Sequence, residues 1–215
     1  MSVKIKGTNL VYFPVPKIAC TSLKTAIMQH NSPEEYKSFK SREPSEQNVH
    51  EYIRSYKMRP WTPWLKTSRD EWVCIVRDPI KRAVSGYRNR IMFHKDLDDA
   101  PQRKLDAAGL TRTPGLNDFA LNIEKYIPMT ISIAHHFRSV TRYIGKDPGR
   151  FAHVFDLSQL DDFVALLNHS GVHLEIPHEQ TGGPKLSVSD LSPEAYAALR
   201  TFYAEDYRIW GQYFS

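Results

Sequence analysis

An α/β fold with a central parallel sheet flanked by helices is what this sequence predicts, and three observations predict it. Three short, nearly uninterrupted apolar runs stand far apart in the chain: Leu10-Val11-Tyr12-Phe13, "EWVCIV" at 71–76 and "FAHVF" at 151–155. Runs of that length without polar alternation suit strands buried on both faces, as in a parallel sheet. Segments with helical periodicity lie between and after them, and strands alternating with helices define the α/β class. The first two runs end in compact turns, "VPKIACTS" and "RDP", that lead straight into a helix. In such folds ligands sit at the carboxyl ends of the strands.

The elements follow in order. The first strand spans 8–14, and a helix over 21–30 carries Leu23, Ala26, Ile27 and His30 on one face. Residues 31–49 are polar and loop-like, with partial helix. After the strand at 71–76, Asp78 and Pro79 open a helix as N-cap and first-turn proline, with Ala83, Val84, Tyr87 and Ile91 inward. Residues 94–116 are charged and irregular, and 94–130 reads as a lid or substrate-binding insertion. Asn117 caps a further helix through Ile127. The third strand is 151–155, and Ser158 caps the helix that carries Leu160, Phe163, Val164 and Leu167. Residues 175–185, "EIPHEQTGGPK", are a loop. Ser192-Pro193 opens a final amphipathic helix with Tyr196, Leu199, Tyr203, Tyr207 and Trp210 inward.

Composition narrows the function. A chain of 215 residues reads as one domain, 1–215, and 41% hydrophobic with 25% charged residues is ordinary for a globular protein. No apolar run approaches about 18 residues, so no integral membrane segment is expected, and the N-terminus lacks a signal-peptide core. Cys20 and Cys74 are too few for a disulfide framework and read as two free thiols in a reducing cytoplasm. The formal charge is +5, but the basic residues are dispersed and match no nucleic-acid module. A small anionic ligand therefore ranks above DNA or RNA. A mildly basic solvated surface explains the charge alone equally well.

The first loop suits an anion. Helix-start N–H groups point outward and the helix dipole adds positive charge. Lys17, the backbone of Ile18, Ala19 and Cys20, and the hydroxyls of Thr21 and Ser22 together surround such a group. A nucleoside-triphosphate loop needs G-x-x-x-x-G-K-[ST], with glycines that let the backbone wrap two phosphates. Here the lysine precedes the turn and no glycine falls between Gly7 and Gly86, so one compact anionic group fits better. The competing reading is an ordinary β-α turn with a solvated lysine. In the second stretch Arg77 ends a strand and Ser85 lies two turns into a helix. They offer a rigid guanidinium fork and a hydroxyl to a phosphate, although R-D-P before a helix is also ordinary capping.

Taken together, "VPKIACTSLK" and "IVRDPIKRAVSGY" resemble the two nucleotide-binding motifs of the sulfotransferase superfamily. The closer resemblance is to the carbohydrate-type branch and its soluble bacterial relatives. "HHFRSV" at 135–140, "FDLSQLDDFVALL" with Asp156, and "FYAEDYRIWGQY" are similar to further segments of that branch. The likeness touches most of the chain except about 31–70 and 94–130. It implies a P-loop-like sulfotransferase fold and 3′-phosphoadenosine 5′-phosphosulfate (PAPS) as donor, with no metal. Ile18 and Cys20 depart from the smaller residues often found in the loop. Anchored members carry a membrane segment and often disulfides; their lack here points to a cytoplasmic, bacterial enzyme.

The resemblance also distributes roles. Lys17 stabilises the leaving oxygen, Thr21 and Ser22 hold the 5′-phosphate, and Arg77 and Ser85 hold the 3′-phosphate. Lys185, in the "TGGPK" loop, is a weaker candidate for closing over the nucleotide. The acceptor is a hydroxyl, on a glycan, a lipid or a small metabolite. Its base is left open between His50, which precedes the second strand and is expected to approach the acceptor without touching the donor, His136, and a carboxylate. Trp61 and Trp64 are candidates to line the acceptor pocket or simply to pack a core. A non-catalytic nucleotide-binding module and a divergent P-loop kinase are the competing functions. The kinase lacks its glycine-rich loop and Mg²⁺ ligands.

Overall fold

The computed structural model describes residues 2–43, 46–52, 70–177 and 185–215. Trp61, Trp64 and most of the "TGGPK" loop lie outside them. The strands are β1 (Val3–Lys4), β2 (Leu10–Phe13), β3 (Glu71–Val76) and β4 (His153–Asp156). The α-helices are α1 (Cys20–Asn31), α2 (Pro33–Lys40), α3 (Val49–Tyr52), α4 (Pro79–Gly86), α5 (Gln102–Ala108) and α6 (Leu116–Leu121). They continue with α7 (Ile123–Tyr126), α8 (Ile131–Phe137), α9 (Thr141–Ile144), α10 (Leu160–His169), α11 (Pro193–Phe202) and α12 (Ala204–Trp210). The chain forms two compact units. One comprises Met1–Val76, Tyr143–Gln180 and Ser215; the other comprises Arg77–Arg142 and Thr181–Phe214.

The first unit holds a mixed, mostly parallel sheet in the order β1-β2-β3-β4. β2 and β3 run parallel with Phe13 opposite Cys74, and β3 and β4 run parallel with Val76 opposite Asp156. In β3 every residue from Trp72 to Val76 is buried, as its continuous apolar run predicts. Burial also pushes the Cys74 thiol pKa up. The antiparallel edge strand β1 was not expected. Two residues carry no periodicity, and the pairing comes from a turn: Gly7 has φ 82°, and Ile5 N–H donates to the Leu10 carbonyl at 3.0 Å. The third strand is also shifted from 151–155. Phe151 stays buried but spends its ring in an edge-on contact with Phe13, 5.3 Å between centroids.

Ser158 does not cap α10. The N-cap of α10 is Gln159, with no side-chain cap bond, and the Asp156 carboxylate caps the short 3-10 turn Leu157–Gln159 before it, accepting from the Ser158 N–H at 2.9 Å and the Ser158 hydroxyl at 2.8 Å, while the Gln159 side chain accepts from the Asp156 N–H. Burial alone would raise the Asp156 pKa, but hydrogen bonds from Ser215 and Ser158 outweigh it and hold the group below its ordinary value. The polar stretch after α1 is helical through α2, and Met28, Phe39 and Val49 form a small core with Tyr36 and Tyr52 against it. That cluster ties α3 to α1.

The second unit is helical around a core that includes Ile80, Tyr87, Phe119, Phe137, Leu199 and Tyr203. Gly86 lets α8 approach α4, since a Cβ there would sit 2.9 Å from a Phe137 ring carbon. Beyond Gly86 the helix widens into a seven-residue π-helix, Tyr87–Phe93. The charged segment 94–116 is not wholly irregular, because it contains α5 with Leu105 buried. Asn117 does not cap a helix. Its carboxamide accepts from the Ser192 N–H at 2.8 Å, and the helix expected there breaks at Asn122 into α6 and α7. The final helix also breaks, at Tyr203. Its inner face begins with Ala195 and Leu199, which leaves Tyr196, one position off, 43% exposed.

Candidate functional site

The loop between β2 and α1 answers why its sequence does without glycine. Lys17 and Ala19 adopt left-handed backbone angles, φ 67° and 47°. Such angles cost a non-glycine residue about 1–2 kcal/mol each, and strain of this kind clusters at ligand-holding loops. A change of hand between neighbouring residues turns successive N–H groups toward one side, forming an anion-binding concavity. The N-cap of α1 is Ala19, which has no side-chain oxygen to offer the first turn. Ile18 is buried and anchors the loop, while Lys17, Cys20 and Thr21 are half-buried and Ser22 is buried.

His50 sits on this loop's helix. From α3 its Nε2 lies 3.1 Å from the Thr21 hydroxyl and its Nδ1 lies 3.1 Å from the Lys24 Nζ. His50 therefore lies against the first turn of the helix that the loop opens. Lys24 was not singled out by the sequence. It lies in the run "LKTAIM", all buried, and is itself only 3% exposed.

The second unit holds the other predicted residues. Asp78 caps α4 as expected, with one carboxylate oxygen accepting from the Ile80 and Lys81 N–H groups at 2.9 Å. Its second oxygen accepts from the Tyr207 hydroxyl of α12 at 2.6 Å. Burial, then that bond, pushes the Tyr207 pKa up, and the Arg200 guanidinium stacks on its ring at 3.4 Å. The turn carrying Arg77 is thus held from the C-terminal helix. Arg77 follows β3 directly and is half-buried, as is Ser85. We expect Tyr207→Phe to cost about 1.5–3 kcal/mol, the worth of a hydrogen bond to a charged group. An unchanged urea midpoint would show that the bond contributes nothing.

His136 is oriented differently. Its Nδ1 lies 2.8 Å from the Ser132 carbonyl, which only accepts, so Nδ1 carries the hydrogen and Nε2 the lone pair of the neutral ring. Ser132 in turn donates to Asp96, and Arg90 grips Asp96 in a fork of 2.6 and 3.0 Å. The π-helix carries Arg90 into this cluster. His135 and Lys185 are exposed.

Lys17, Ile18, Ala19, Cys20, Thr21, Ser22 and His50 thus belong to the first unit, and Arg77, Ser85, His136 and Lys185 to the second. A depression lined by Gly7, Asn9 and Glu71 lies at the amino ends of β2 and β3, the edge opposite the loop. Among the described residues no three His, Cys, Asp or Glu side chains are grouped to hold a metal ion, and no helix is long and apolar enough to cross a membrane.

The mostly parallel four-stranded sheet flanked by helices is consistent with a sulfotransferase α/β fold. The sequence profile of the sulfotransferase family matches residues 5–213, and the chain belongs to that family. No curated protein and no solved structure matches the chain.

Proposed function

We propose that the protein, acting as a single domain, transfers the sulfuryl group of PAPS to a hydroxyl of an acceptor. A glycan is the first acceptor class, with lipids and small metabolites behind it, and the setting is a bacterial cytoplasm. The observation that carries this reading is the loop at Lys17–Ser22. It is strained at two non-glycine residues, opens a helix with no capping side chain, and has a histidine against its threonine.

The acceptor oxygen attacks sulfur in line. The bond from sulfur to the 5′-phosphate oxygen breaks, and adenosine 3′,5′-bisphosphate leaves. Charge grows on that bridging oxygen, and Lys17 there stabilises the transition state more than the ground state. Thr21, Ser22 and the backbone of 18–20 hold the 5′-phosphate, while Arg77 and Ser85 hold the 3′-phosphate, with Lys185 a weaker candidate for the nucleotide. His50 takes the acceptor's proton. His136, whose neutral ring also presents Nε2 as acceptor, is the alternative base. Residues 94–130 supply acceptor contacts.

Calorimetry tests the donor half. Adenosine 3′,5′-bisphosphate should bind without divalent metal, and more tightly than ATP with Mg²⁺. Arg77→Ala should weaken the bisphosphate far more than 5′-AMP, since only the former has a 3′-phosphate and a charge-assisted bond is worth about 1.5–3 kcal/mol. Tighter, Mg²⁺-dependent ATP binding would favour the kinase. Bisphosphate binding with no product in a mass-spectrometric acceptor screen would favour a non-catalytic module.

A further inference from the structure

Lys24 is a buried, titratable side chain that the mechanism above does not use. It is 3% exposed, and His50 Nδ1, 3.1 Å away, is the polar partner of its Nζ. Among the described residues no carboxylate lies within ion-pair distance of it. An ammonium buried without a counter-charge is costly, and such groups neutralise instead. The titratable groups acting on it are Cys20 from α1 itself and His50 from α3.

We propose that Lys24 is a positioning residue that works as a neutral amine: it accepts the Nδ1 hydrogen of His50, so the ring's lone pair lies on Nε2, the nitrogen facing Thr21. A charged ammonium only donates, so it would force Nδ1 to accept and place the neutral ring's hydrogen on Nε2. A histidine held that way has no lone pair on Nε2 to take a proton. A neutral amine has a lone pair that can accept the Nδ1 hydrogen, which leaves the ring's lone pair on Nε2. Burial lowers the Lys24 pKa from its ordinary value, with Cys20 acting in the opposite sense, which agrees with the amine.

The inference rests on His50 as the base of the proposed reaction. With that tautomer the Thr21 hydroxyl, 3.1 Å away, donates to Nε2 in the resting enzyme. A donor phosphate that takes the Thr21 hydrogen releases Nε2 for the acceptor. During transfer the acceptor's O–H proton passes to Nε2 as the new O–S bond forms and the bond to the bridging oxygen breaks. The imidazolium then shares its Nδ1 hydrogen with the Lys24 amine, and the extra proton leaves to solvent. Lys24 thereby orients the ring and strengthens it as a base, as a hydrogen-bonded partner does for other working histidines.

Substitutions separate this from a role for the positive charge. Lys24→Gln keeps an acceptor for Nδ1–H, Lys24→Met has none, and Lys24→Arg imposes a permanent cation with donors only. We expect kcat to fall about 10–100-fold in Lys24→Met, the range typical of groups that orient a histidine. Lys24→Arg should be at least as impaired, and Lys24→Gln the closest to wild type. All three should keep bisphosphate affinity in calorimetry. Wild-type activity in Lys24→Arg, or an order with Lys24→Arg above Lys24→Gln, overturns the proposal. A second measurement needs no substrate: ¹⁵N NMR of the whole, histidine-labelled chain near neutral pH, with His50 assigned through His50→Gln. Hydrogen on Nδ1 is the expected tautomer, and hydrogen on Nε2 overturns the proposal even if every Lys24 variant fails to fold. A failed sulfotransferase reading shows instead as wild-type protein that neither binds the bisphosphate nor turns over.

Discussion

Turnover of a His50→Ala enzyme should fall by about 10²- to 10⁴-fold, the contribution typical of a positioned general base. Binding of adenosine 3′,5′-bisphosphate should survive. The side chain is exposed, so little packing is lost. The Thr21 hydroxyl gives up its 3.1 Å contact with His50 Nε2. The wild-type rate should drop as pH is lowered, because protonating Nε2 removes the lone pair that takes the acceptor's proton. The sign follows directly: the active form is the deprotonated one, so activity is full at higher pH and lost on the acid side. His50→Ala should lose that limb. Steady-state kinetics across pH, with calorimetry beside them, measure both halves. If His136→Ala abolishes turnover while His50→Ala stays near wild type, the base is His136, held by the Ser132 carbonyl. If both variants remain fully active, neither histidine is the base, and a carboxylate between the two motifs is the next to substitute.

Lys17→Ala should lower kcat by about 10²–10³-fold, as removing one donor to a developing oxyanion does. Its effect on bisphosphate affinity should be smaller, because the charge it meets grows in the transition state. The backbone provides a second handle. Lys17 has φ 67°, so Lys17→Gly should be as inactive as Lys17→Ala yet more stable than it by about 1–2 kcal/mol, the cost of a left-handed angle with a Cβ. Urea denaturation reads the stability and a product assay reads the rate. A Lys17→Ala enzyme with undiminished kcat would move the stabilising charge to another residue.

Strongly local features are legible in the residue order. β3 coincides with "EWVCIV", because a strand buried on both faces needs an unbroken apolar run. Asp78-Pro79 and Ser192-Pro193 begin α4 and α11 as expected, since a cap and its helix are neighbours in sequence. Other caps mislead for an equally physical reason. Asn117 and Ser158 are competent capping residues, but a side-chain amide or hydroxyl goes to whichever partner the fold brings near: the Ser192 backbone for one and the Asp156 carboxylate for the other. The π-helix after Gly86 has no composition of its own to betray it.

The order of residues alone is thus enough for the α/β class, the family, and the loop and turn that are candidates for the chemistry, because apolar runs, caps and the lysine loop act over a few residues. What those residues touch comes from the tertiary fold. His50 meets Thr21 across 29 positions and Lys24 across 26, and Tyr207 meets Asp78 across 129. Such pairings depend on packing between elements, here the cluster of Met28, Phe39 and Val49 that draws α3 to α1. No local pattern records them. The same packing buries Lys24, and that burial lowers its pKa from the ordinary value.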